Sequence, residues 1–169
     1  MLFRSENGIM RRVHMVSAAA LLEVSWQMPS LDYISLMQLT MYLTHDYKEL
    51  EKMYRLMCFN VFAHNQDDHA KNFSFLYRDG KWSLSPAYDL TYSHSYYGEH
   101  ATSVNGNGKD PGIEDLYAVA GKFSLSPDFY RPVTEMIREY ASEALRAGQE
   151  SGSRNQDSGK NRCRKRRSE

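Results

Sequence analysis

The chain has 169 residues, of which 41% are hydrophobic and 12% are aromatic. This composition predicts one folded domain with a substantial core and excludes an intrinsically disordered protein. The formal net charge is +0, but the last ten residues hold six Lys or Arg and one Glu, so the rest of the chain is mildly acidic.

The chain carries no pattern of a membrane or secreted protein. Its longest uncharged apolar run near the start is Met15–Leu22, far shorter than a membrane span, and no signal-peptide layout follows. Cys58 lies in an apolar run and Cys163 in a polar tail, so we expect no disulfide between them. The sequence therefore predicts a soluble, cytoplasmic protein without a membrane partner.

The first predicted elements are a strand or turn over residues 1–14 and three helices. Asn7-Gly8 fits a hairpin turn, and Ser17 is a suitable N-cap for a short helix over residues 18–22. A second helix follows Pro29, with its apolar residues spread as in a buried helix. The third runs from about Asp46 to about Phe62 and becomes apolar all round toward its end.

The second half begins with a polar loop, residues 64–72. Two short alternating segments around Asp79-Gly80 then predict a β-hairpin. After an irregular stretch, helices are predicted over Ile113 to about Phe123 and from Pro127 onward. The expected fold is mainly α with a small β-hairpin (α+β), with a domain over residues 1–146 and a disordered basic tail over residues 147–169.

Three polar residues have the spacing that phosphoryl transfer requires. Kinases place a base Asp and a magnesium-binding Asn five residues apart on one loop, and a second magnesium-binding Asp follows after a hairpin. Asp67 and Asn72 have that spacing, and Asp89 comes 22 residues after Asp67, just beyond the predicted hairpin. The hairpin folds the chain back, so Asp89 can face Asn72 across a shared Mg²⁺, which prefers hard oxygen ligands.

Longer segments around these residues resemble the HipA family. Residues 59–75 look like that family's catalytic loop, and residues 82–91 are similar to its metal-binding segment. Residues 13–18 and 102–106 add two further matches, so that the resemblance covers roughly residues 3–140. It implies the C-terminal lobe of a protein-kinase-like HipA fold.

The resemblance also implies a role for each loop residue. Asp67 would be the catalytic base that orients the Ser or Thr hydroxyl of a protein substrate. Asn72 and Asp89 would hold Mg²⁺ against the phosphates of ATP. His69 would shape the loop by hydrogen bonding, and Lys71 would balance phosphate or carboxylate charge.

The family consists of bacterial toxin kinases of toxin–antitoxin systems. Its best-known substrate is a glutamyl-tRNA synthetase, and a HipB-like helix-turn-helix antitoxin restrains the toxin. The antitoxin binds operator DNA, so the resemblance implies only an indirect contact with DNA.

One part of the kinase pattern has no counterpart before Asp67. Such kinases need a glycine-rich phosphate loop, a phosphate-binding lysine and an adenine-contacting hinge, whereas the first 60 residues contain only Gly8. The segment Gly106–Lys109 lacks P-loop spacing. We therefore expect the N-lobe to be missing and this chain to be a truncated form with weak or no activity alone.

Several other interpretations stay open at this level. The chain could be a non-enzymatic remnant lobe that binds an antitoxin or another partner. Asp67, Asp68 and Asn72 could be only turn-formers, or His64, Asp67, Asp68 and His69 could be metal ligands of a phosphohydrolase. The basic tail could bind nucleic acid or an acidic partner, although such runs are more often only solvated.

Overall fold

A computed structural model describes the backbone of residues 2–6, 9–24, 31–93 and 98–165, with side chains over 12–24, 31–93 and 98–148. The fold is α+β, as the sequence predicted. The helices are α1 (Ala18–Leu21), α2 (Tyr33–Thr44), α3 (Tyr47–Phe62), α4 (Ile113–Lys122) and α5 (Pro127–Lys165). The strands are β1 (Leu2–Glu6), β2 (Ile9–Ser17), β3 (Leu31–Asp32), β4 (Ser74–Arg78), β5 (Lys81–Leu84) and β6 (Thr102–Ser103).

The predicted hairpin is one half of a larger sheet. Strands β4 and β5 pair antiparallel around Asp79 and Gly80, whose φ angles of 50° and 78° are the positive values that a type I′ turn requires. Strand β2 pairs antiparallel with both β1 and β4, so the sheet order is β1-β2-β4-β5. The residues of the predicted Asn7-Gly8 turn lie outside the described part of the chain, but the two strands that flank them pair as a hairpin.

The helix starts follow from local capping. Ser17 caps α1 as predicted, with its Oγ accepting the Ala20 N–H at 3.4 Å. Asp32 and Asp46 cap α2 and α3 through bonds of 2.8 Å to backbone N–H groups. Such caps satisfy N–H groups that have no partner within the helix.

Helix α3 lies at the centre of the core and packs against α2 and α5. It is amphipathic in its first turns, and its buried residues then follow one another closely toward the polar loop over residues 64–72. The fully buried members on α3 are Leu50, Met53, Tyr54, Met57 and Cys58. The sequence prediction of a buried end for this helix is confirmed.

A buried carboxylate joins α3 to the hairpin. Glu49 is only 8% exposed, and its Oε2 accepts the backbone N–H of Leu84, the last residue of β5, at 2.8 Å. Its other oxygen bonds the Lys52 ammonium one turn later. The hairpin is therefore fixed against the helix that ends at the polar loop.

The last helix begins at Pro127, as predicted. Its backbone continues to Lys165, through the segment for which the composition predicted disorder, and its side chains are described only as far as Gly148. The domain boundary at residue 147 stays a prediction. Within the described residues, no helix combines the length and apolar character needed to span a membrane.

Candidate active site

The polar loop over residues 64–72 connects the end of α3 to β4, and its main chain is fixed at Asp67. The Asp67 N–H donates to Ser93 Oγ at 3.1 Å, and the Asp67 carbonyl accepts Asn72 Nδ2 at 2.9 Å. The Asp67 side chain itself is 61% exposed. The predicted base thus has a held backbone and an accessible carboxylate.

The same bond sets the orientation of the Asn72 amide. A carbonyl oxygen can only accept a hydrogen bond, so the Asn72 nitrogen must face Asp67. The Asn72 Oδ1 is then the atom left to act as an oxygen ligand, which is the donor type that Mg²⁺ prefers. The orientation of this side chain therefore fits the predicted metal role.

Asp89 lies on a segment that packs beside the loop. Just before it, the Tyr88 hydroxyl donates to the Lys71 carbonyl at 2.6 Å and bonds Ser74 Oγ at 2.7 Å. Asn65 Nδ2 reaches the Asp89 carbonyl at 3.5 Å. These contacts place the segment that carries the exposed Asp89 carboxylate against the segment that carries Asn72, as the hairpin predicted.

A short bridge continues this contact beyond Asp89. The Ser93 N–H donates to the His64 carbonyl at 3.1 Å, and the Gln66 N–H donates to the Ser93 carbonyl at 3.3 Å. The His64 ring also packs edge-on against Tyr92. The start of the loop and the segment after Asp89 are thus paired through their backbones.

His69 and Lys71 lie within the loop beside the predicted base. The His69 Nε2 is 3.8 Å from Asp67 Oδ1, and its ring is half-buried. Lys71 is exposed and its carbonyl accepts the Tyr88 hydroxyl. The His69 ring therefore lies within 4 Å of the Asp67 carboxylate. The roles predicted for His69 and Lys71 stay predictions.

Asp68 is the residue whose importance the sequence reasoning missed. It is 1% exposed, and its carboxylate accepts the Tyr33 hydroxyl at 3.0 Å, His100 Nδ1 at 3.1 Å and the Thr102 N–H at 3.1 Å. The Thr102 hydroxyl also donates to the Asp68 carbonyl. The interpretations of Asp68 as a turn-former or a metal ligand are wrong, because its side chain turns inward and anchors the loop.

The Asp-Asp pair and the match at residues 102–106 were the only local signals of this anchor. Tyr33 lies 35 residues away and His100 lies 32 residues away, so neither partner follows from sequence spacing. Among the described residues, no three His, Cys, Asp or Glu side chains form a group that could hold a metal ion. The candidate magnesium site consists of one amide oxygen and one carboxylate.

The chain belongs to the HipA-like C-terminal domain family, whose model matches residues 3–147. Its fold is similar to that of HipA from Shewanella oneidensis MR-1, solved in complex with HipB and its operator DNA. The TM-score is 0.68 at 18% sequence identity, over 86% of this chain and 39% of that chain. The present chain thus spans about two-fifths of the solved HipA chain, and no curated protein sequence matches it. The resemblance on which the sequence analysis depended is confirmed at the level of family and fold.

Proposed function

We propose that this chain supplies the catalytic base and the magnesium ligands of an ATP-dependent serine/threonine protein kinase in a toxin–antitoxin system. The observation that carries the proposal is the arrangement around Asp67. Its carboxylate is exposed, its main chain is bonded on both sides, and Asn72 and Asp89 lie on adjoining segments. Family membership supports the same chemistry.

Asp67 acts on the acceptor hydroxyl of the substrate. Phosphoryl transfer needs positioning and charge stabilisation more than covalent help from the protein. The Asp67 carboxylate accepts a hydrogen bond from the Ser or Thr hydroxyl, orients its oxygen toward the phosphorus and receives its proton. Because Ser93 and Asn72 hold the Asp67 backbone, little loop ordering is needed when the substrate arrives.

Asn72 and Asp89 would hold Mg²⁺, through Oδ1 and the carboxylate respectively. When bound, the ion would neutralise charge on the phosphate oxygens of ATP. Lys71 adds a positive charge on the same turn as Asn72, and His69 stabilises the loop beside Asp67. Two protein ligands suffice, since Mg²⁺ keeps several waters and also binds phosphate.

The proposed partners follow from the family. The solved HipA was captured with HipB and operator DNA. We therefore propose a HipB-like helix-turn-helix antitoxin as partner, DNA contact only through that antitoxin, a protein substrate such as a tRNA synthetase, and a cytoplasmic location. A lobe that binds the antitoxin without catalysing transfer is the second candidate, since the solved HipA was captured in complex with HipB.

Calorimetry of Mg²⁺–ATP binding tests the proposal. Asp89→Asn keeps the shape of the side chain and tolerates the left-handed backbone at φ 55°, so the variant removes the charge alone. We expect at least about tenfold weaker binding, equivalent to about 1.4 kcal/mol. The matched control is Asp79→Asn, an exposed residue of the β4–β5 turn at φ 50°, which should bind as the native chain does.

Two outcomes would contradict the kinase proposal. Equal affinity of the native chain and the Asp89→Asn variant would remove Asp89 from the metal site. If the native chain bound no Mg²⁺–ATP, even with the rest of a HipA-like kinase supplied in trans, the binding-lobe candidate would replace it. An Asp67→Asn variant should bind Mg²⁺–ATP normally and lose phosphoryl transfer.

A further inference from the structure

A continuous path of hydrogen bonds connects Asp67 to its neighbour Asp68 through the protein core. The two residues are adjacent in sequence, yet one carboxylate faces solvent and the other is buried. Between the Asp67 N–H and the Asp68 carboxylate, the path passes through four side chains. They are, in order, Ser93, Asn65, Asn60 and Tyr33.

In every hydrogen bond on this path, the donor lies on the Asp67 side and the acceptor on the Asp68 side. The Asp67 N–H donates to Ser93 Oγ at 3.1 Å, and the Ser93 hydroxyl donates to Asn65 Oδ1 at 3.3 Å. Asn65 Nδ2 then donates to Asn60 Oδ1 at 3.0 Å. A backbone N–H can only donate, so it fixes the direction at this end.

The other end of the path has the same direction. Asn60 Nδ2 donates to the Tyr33 hydroxyl oxygen at 2.8 Å, and that hydroxyl donates to Asp68 Oδ2 at 3.0 Å. Burial, followed by the negative charge of Asp68, raises the pKa of the Tyr33 phenol well above its ordinary value. Tyr33 therefore keeps its proton and remains a donor to the carboxylate.

Asn65 is the branch point of the path. It is 2% exposed, and besides the bond to Asn60 its Nδ2 donates to the Asp89 carbonyl at 3.5 Å. One N–H of the Asn65 amide thus donates to Asn60 in the core, and the other donates to the segment that carries Asp89. Its oxygen accepts from Ser93, so all the polar groups of this buried amide are used.

We propose that this one-way path is a positioning relay, in which the buried Asp68 orients the backbones of Asp67 and Asp89 for the reaction. The inference rests on the proposed function, since it assigns Tyr33, Asn60, Asn65 and Ser93 to the geometry of that site. Tyr33, Asn60 and Asn65 are buried and Ser93 is half-buried. They act through the groups that they hold, and hydrogen bonds in series polarise and orient one another in a buried setting.

The test compares a buried tyrosine that lies on the path with a buried tyrosine that lies outside it. Tyr33→Phe removes a relay hydroxyl, while Tyr54→Phe removes a fully buried hydroxyl whose bond to Thr134 Oγ1, at 2.8 Å, lies outside the relay. Hydrogen exchange of the Asp67 amide is measured by NMR in both, at equal global stability set with urea. We expect at least roughly tenfold faster exchange in Tyr33→Phe than in Tyr54→Phe.

A second comparison starts from the opposite end, in case Tyr33→Phe does not fold. Ser93→Ala breaks the relay beside Asp67, and Ser85→Ala removes an exposed serine bond to the Pro86 carbonyl. The relay predicts that Ser93→Ala shifts the side-chain amide resonances of Asn60, two hydrogen bonds away along the path, while Ser85→Ala leaves them unchanged.

Equal Asp67 exchange in the two tyrosine variants, or unmoved Asn60 resonances in Ser93→Ala, would overturn the relay. The readouts do not depend on catalysis. Failure of the native chain to bind Mg²⁺–ATP, even with the rest of a HipA-like kinase supplied in trans, would therefore refute the proposed kinase, whereas these resonances decide the relay separately.

Discussion

Replacing Glu49 by alanine should loosen the hairpin that separates Asn72 from Asp89. The Glu49 carboxylate is the group on α3 that accepts the buried Leu84 N–H, at 2.8 Å. Alanine cannot accept this bond, and the low exposure of the site leaves little access for water to replace it. The end of β5 would then keep an unsatisfied donor.

The magnitude follows from three contributions. An unsatisfied buried donor costs about 1–3 kcal/mol, and bonds to charged groups lie in the upper part of the range. The exposed Lys52 contributes little, because pairs near the surface are worth less than about 1 kcal/mol. Alanine returns a few tenths of a kcal/mol through its higher helix propensity. The free energy of unfolding should fall by about 2 kcal/mol, which lowers Tm by about 4–8 °C for a domain of this size.

The assay is urea unfolding followed by circular dichroism, with Glu51→Ala as matched control. Glu51 lies on the same helix and pairs with Arg55 at 3.7 Å near the surface, so its removal should cost less than about 0.5 kcal/mol. If the two variants lose the same stability, the Glu49–Leu84 bond does not fix the hairpin, and the reasoning from burial fails.

Two further predictions concern caps and pH. Asp32→Ala should lower the free energy of unfolding by about 2–3 kcal/mol, because Asp32 caps α2 and also accepts hydrogen bonds from Ser103 and Gly106. Asp46→Ala removes only an exposed cap, which is worth about 1 kcal/mol. Chemical denaturation of both variants measures the difference, and equal losses of stability would contradict the prediction. Burial raises the pKa of the Cys58 thiol to about 12, so this thiol ionises at lower pH in the unfolded chain than in the folded one. Stability should therefore fall above about pH 9, by at most about 1.4 kcal/mol per pH unit for this group. The raised pKa of Tyr33 adds to the fall above about pH 10. Unfolding measured from pH 7 to 11 that showed no such fall would refute the assignment of these groups as buried and protonated.

The parts of the fold that the sequence predicted are those set by neighbouring residues. The β4–β5 hairpin, the Ser17 cap and the start of α5 at Pro127 each depend on a few adjacent side chains. The four-stranded sheet was not predicted, because the paired residues of β2 and β4 are 57 to 63 positions apart and no local pattern encodes that register. Strand pairing at such separation depends on packing across the whole core.

The candidate site, like the fold, has residues that the sequence pointed to and residues that it did not. Asp67, Asn72 and Asp89 were proposed from their spacing along the chain, and the structure places the segments that carry them together, while their roles stay predictions. Tyr33 and Asn60 were not predicted, because each looks like an ordinary residue of a buried helix face. Their importance depends on a carboxylate that reaches them only after the chain has folded.

The hairpin also has an entropic consequence for the proposed metal site. Asn72 and Asp89 enclose 16 residues, and closing a flexible loop of that length costs about 2.5 kcal/mol in chain entropy, beyond a constant term. Here strand pairing and the Glu49 bond have already closed that loop in the folded protein. A cation bound at the proposed site would not need to bring Asn72 and Asp89 together, so a mutation in the sheet, far from either residue, would weaken its binding.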